Sequence, residues 1–97
     1  MKPAYVIGNI TVIDTDKWSE YRSKVPATMS RWGGELEFRG KQVHVLGGSY
    51  PHTDCVVIRF PTMEALNNWF NSDEYQALIP IREQAAKMDL ISFQAED

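Results

Sequence analysis

The stretch YVIGNITVI, Tyr5 to Ile13, constrains the fold more than any other part of the chain. Side chains of a strand point alternately to two faces. Here Tyr5, Ile7 and Ile13 fall on one face and Val6, Ile10 and Val12 on the other, so both faces are apolar. A sheet built around such a strand needs cover on both sides. A chain of 97 residues has material for one core, so a single domain spanning residues 1–97 is expected.

One cover comes from helices. Asp14 or Thr15 is placed to cap a helix, and Trp18, Tyr21, Val25, Met29 and Trp32 follow on one helical stripe. Pro26 removes the amide that would bond the Arg22 carbonyl, which predicts a kink or short break. Gly33-Gly34 then stops the helix. Glu35 to Leu46 alternates in two registers, Leu36 and Phe38 against Val43 and Val45, which predicts a bulge at Gly40 or a hairpin at Gly40-Lys41. Gly47 to Thr53 reads as a turn, and Cys55 to Phe60 as a central strand. Thr62 and Ser72 are further helix caps, with Ala65, Leu66, Trp69 and Phe70 and then Tyr75, Leu78, Ile79, Arg82 and Ala86 facing inward and Pro80 perturbing the second run. Leu90 to Ala95 closes the sheet.

The order β-α-β-β-α-β is the ferredoxin-like α+β arrangement. Its helices cover one face of a four-stranded sheet. The other face is left apolar, and a second copy of the chain packing sheet to sheet would cover it, so a homodimer through the sheet face is expected.

With those elements placed, a set of residues resembles the family called domain of unknown function 1330. They are Tyr21, Trp32-Gly33-Gly34, Arg39-Gly40, Leu46, Gly48, Phe60-Pro61-Thr62, Trp69, Ser72-Asp73-Glu74-Tyr75-Gln76 and Arg82. The resemblance spans nearly the whole chain and implies the dimeric α+β barrel fold, with no agreed activity. Lys41 stands where many relatives carry a second Gly and Gly47 where many carry Glu, so any acid chemistry resting on that Glu is absent here. The wider superfamily includes antibiotic-biosynthesis monooxygenases, muconolactone isomerases and haem-degrading monooxygenases. NNWFNSDEYQALI resembles the last group, as do Asn9 and Trp69, but the position of the iron-binding His is Ile79, which cannot ligate iron.

Composition removes several partner classes. The hydrophobic share of 43 % and charged share of 24 % are those of a folded domain, which argues against disorder. Net charge is −3 and the Lys and Arg residues are scattered, so neither nucleic acid nor an anionic membrane is an expected partner. No apolar run approaches the roughly 18 residues of a membrane span, and the N-terminal tract, broken by Asn9 and Thr11, lacks a signal-peptide pattern; a cytoplasmic protein is expected. Cys55 is alone and reads as a small buried residue. Two histidines without Cys or carboxylates at ligand spacing argue against a metal site, and no cofactor is implied.

Six residues are candidates for chemistry. Arg39 offers a planar fork of donors to a carboxylate or other oxyanion; its ordinary alternative is a pair with Glu35 or Glu37. His44 titrates near neutral pH and Asn9 is an amide inside an apolar strand, so these two are the catalytic candidates, the amide on the condition that its face looks toward the helices. Trp69 and Tyr21 would wall a pocket, and Arg82 would meet a carboxylate. His52 reads as a surface residue. These point to a small oxygenated or anionic ligand between sheet and helices, with isomerase-like or monooxygenase-like chemistry or, alternatively, binding alone in a stress-associated role.

Overall fold

In the computed structural model, which describes residues 2–96, the two-faced segment becomes strand β1, Ala4–Val12. Helix α1 follows over Thr15–Met29, then a 3-10 turn Ser30–Trp32, strands β2 (Glu35–Lys41) and β3 (Asp54–Phe60), helices α2 (Met63–Phe70), α3 (Asp73–Gln76) and α4 (Ile79–Ala85), and strand β4 (Ala86–Gln94). The strands lie in the order β2-β3-β1-β4 with every neighbouring pair antiparallel. This is the expected ferredoxin-like order, with the second helical region divided into three.

The helix starts are set by side chains that satisfy otherwise unpaired amides. Asp14 Oδ1 accepts from the Lys17 amide at 3.0 Å, Thr62 Oγ1 from Ala65 at 3.0 Å, and Ser72 Oγ from Tyr75 at 3.3 Å. Gly33, at φ 76°, ends the first helical run in the left-handed conformation that glycine adopts without strain.

Five expectations are corrected. α1 runs unbroken through Pro26 to Met29, because one missing amide does not outweigh the packing of the helix face. Pro80 sits in the first turn of α4, where no amide is needed, so it starts that helix instead of perturbing it. The register shift of β2 lies between Leu36 and Phe38, not at Gly40. A Cβ at Gly40 would stand 2.7 Å from Phe38 Cζ, so this glycine is where the Phe38 ring folds over the backbone. Finally, β2 stops at Lys41, leaving Val43 and Leu46 more than nine-tenths exposed, and β4 begins at Ala86 rather than Leu90.

Ala4, Val6 and Ile10 of β1 and Val56, Ile58 and Phe60 of β3 face the helices and form the core with Tyr21, Met29, Leu66, Trp69, Tyr75 and Leu78. Trp69 is at the centre. Its ring lies 5.2 Å from Phe60 and 4.3 Å from Tyr75, and its indole N–H donates to Thr28 Oγ1 at 3.0 Å.

The opposite face of the sheet carries no element, and its cross-strand rows differ in chemistry. One row, Phe38–Val57–Ile7–Ile91, is wholly apolar. The next, Gly40–Cys55–Asn9–Asp89, is polar.

Candidate functional site

Between sheet and helices lies a small cavity. Trp18, Tyr21 and Arg22 reach it from α1, Arg39 from β2, Trp69 from α2 and Met88 from β4. Its volume is about 30 Å³, room for a water molecule or two.

Arg39 reaches the cavity because the shift between Leu36 and Phe38 turns it to the helix side, opposite Val56. Neither Arg39 nor Arg22 makes an ion pair or side-chain hydrogen bond among the described residues; the expected partners Glu35 and Glu37 do not take Arg39. Burial, and then the neighbouring Arg22 guanidinium, push the Arg39 pKa below its ordinary value. Two cations meet beside a partly apolar cavity. Asp54, the one carboxylate that acts on Arg39, is ion-paired with Lys41 instead. Neither arginine is neutralised by a contact, so the position is attractive to an anion.

Behind them is a chain of polar groups, two buried tyrosines and a half-buried arginine. Tyr21 Oη and Tyr75 Oη lie 2.8 Å apart, and Arg82 Nη1 donates to Tyr75 Oη at 2.9 Å. Burial, and then the neighbouring Tyr75, push the Tyr21 pKa far above its ordinary value, so the phenol keeps its proton throughout the physiological range. It can donate a hydrogen bond to a bound oxygen, but it does not serve as a base.

The six candidates therefore separate into two groups. Tyr21, Arg39 and Trp69 line the cavity, with Arg82 joined to it through Tyr75. Asn9 and His44 lie on the other side of the sheet. Asn9 points away from the helices, correcting the conditional expectation, and its Oδ1 accepts from Tyr50 Oη at 3.0 Å. His44 is exposed on the segment after β2, and the two share a hollow of about 290 Å³ on the open face with Phe38, Tyr50 and Cys55. Cys55 is half-buried in that hollow instead of lying in the core, and burial raises its thiol pKa.

His52 is also corrected. Its side chain is only 10 % exposed: Nδ1 lies 3.0 Å from Thr11 Oγ1 and Nε2 lies 2.6 Å from Asp89 Oδ2. These bonds pin residues 50–53 across β1 and β4. Sequence reasoning missed this because the partners are 41 and 37 positions away. It also missed Arg22, although Arg22 stands four positions after Trp18, where a helix brings side chains together.

A model of the family described as domain of unknown function (DUF1330) matches residues 3–95. The chain belongs to that family. No protein of curated function matches it in sequence. Among solved structures, this DUF1330 protein is similar to a protein of unknown function from Rhodopseudomonas palustris, with TM-score 0.82 and 15 % identity over 99 % of this chain and 84 % of that one. A dimeric ferredoxin-like protein of unknown function from Jannaschia sp. CCS1 superposes at TM-score 0.77 with 11 % identity, covering 96 % and 99 %. SnoaB from Streptomyces nogalater, a cofactor-independent oxygenase, superposes at 0.71 with 8 % identity, covering 100 % and 96 %. At these identities the likeness is one of fold, and fold alone does not carry activity. No described helix of this DUF1330 protein is long and apolar enough to cross a membrane.

Proposed function

We propose that this chain is a homodimeric binding protein that holds a small, partly apolar, oxygenated or anionic molecule between its sheet and helices. The observation that carries the ligand reading is the convergence of Arg39 and Arg22 on one cavity with neither of them in an ion pair among the described residues. The cavity is small as it stands. Arg22, Arg39 and Met88 are long, unbranched side chains with solvent on one side, and their rotation would enlarge it without moving the backbone.

Binding stands ahead of isomerase-like or monooxygenase-like turnover. The phenol nearest the cavity is held protonated, while Asn9 and His44 are separated from it by the sheet. The dimer is supported by the apolar row on the open face and by the dimeric state of the Jannaschia protein.

A thermal-shift panel of small carboxylates against the wild type and Arg39→Ala tests the reading. Acids that carry an apolar ring should raise the melting temperature of the wild type and leave Arg39→Ala unmoved. If no acid at millimolar concentration moves the wild type, or if both proteins respond alike, the cavity is not an anion site.

A further inference from the structure

Counting donors and acceptors along the buried phenol pair gives the hydrogen-bond chain a direction. Arg82 has donors only, so its 2.9 Å contact makes Tyr75 Oη an acceptor. Tyr75 is wholly buried, and its own proton has one acceptor in reach among the described residues, Tyr21 Oη at 2.8 Å. Were Tyr21 to donate instead, the Tyr75 proton would be left unpaired in close-packed surroundings, the arrangement folded proteins avoid. The chain therefore runs Arg82 to Tyr75 to Tyr21.

One proton remains at its end. The Tyr21 hydroxyl accepts from Tyr75 and has a donor to spare on a residue that is only 6 % exposed. Tyr21 lines the cavity, as does Arg39. The space beside them is the size of a water molecule, which is the space a single ligand oxygen would take. Apart from Arg22, the other walls are apolar or aromatic, among them Trp18, Trp69, Val56 and Leu90.

Resting on the anion-binding reading above, we infer that the cavity takes an oxygen of the carboxylate of a small, partly apolar acid, with the Tyr21 O–H and the Arg39 guanidinium as its two donors and Tyr75 and Arg82 as residues that position the Tyr21 proton. A carboxylate is acceptor-only and matches a site that offers only donors. A ligand group that brings its own donor meets Tyr21 and Arg39 with no acceptor to receive it.

Benzoate and toluene are the probes, the same ring with and without the oxygens, titrated by NMR chemical shifts into the wild type, Tyr21→Phe and Tyr75→Phe. Tyr21→Phe should weaken benzoate about tenfold or more, the size of a lost hydrogen bond to a charged acceptor, and leave toluene where it was. Tyr75→Phe should weaken benzoate by a smaller factor, because it removes the orientation of the donor and not the donor. Benzoate binding equally to wild type and Tyr21→Phe overturns the inference and leaves the anion site standing. Loss of both probes together in Tyr21→Phe overturns it too, since the residue would then act through packing. A wild type that binds neither probe brings down the inference and the anion-site reading together.

Discussion

Thr28 illustrates how much a single side chain can settle. Its hydroxyl is the acceptor for the indole N–H of the buried Trp69, which is donor-only. Thr28→Val keeps the shape and removes that acceptor, so a cost of about 1–3 kcal/mol is expected. It should appear as a lower urea midpoint with an unchanged slope. An unmoved midpoint would mean that the indole finds another acceptor. Trp69 itself was legible as a core residue, because its helical stripe is clear. Asn9 was less so. Alternation places it with Tyr5 and Ile7, but when both faces of a strand are apolar, nothing in the pattern says which one meets the helices. His52 was not legible at all, since a loop residue is fixed only by what the fold brings to it.

The elements were more readable than their ends. Caps at Thr62 and Ser72 are local chemistry and stand where the sequence put them, and Asp14 is one of the two residues it offered for the first helix. Pro26 and the start of β4 were decided by tertiary packing, which outweighs the local preference of one residue. The shift in β2 was expected at Gly40 and lies nearer the start of the strand because a bulge needs no glycine; Gly40 has a different task, lying under the Phe38 ring. That task gives an element-scale prediction. In Gly40→Ala the ring must swing away, and Phe38 is exposed enough to let it do so in the monomer. The variant should stay folded by circular dichroism. If the open face is the dimer interface, sedimentation equilibrium should show weaker association than in the wild type. Unchanged association would remove Phe38 from the interface.

At the scale of the molecule, the ferredoxin-like order was legible because it needs only element types and their sequence, whereas the site needed faces and distances. The strand order has one more consequence. A cut in the exposed span 42–48 would divide the chain into a half holding β1, α1 and β2 and a half holding β3, the remaining helices and β4. Read across β2-β3-β1-β4, strands of the two halves alternate, so every ladder of the sheet would join one fragment to the other. Neither fragment would keep a single strand pair of its own. Expressed separately, residues 1–46 and 47–97 should each lack strand signal, and mixed they should recover the native spectrum as a non-covalent pair. A fragment that folds alone would show that the sheet tolerates another order. The chain is laced, and a nick in its most exposed stretch would not unlace it.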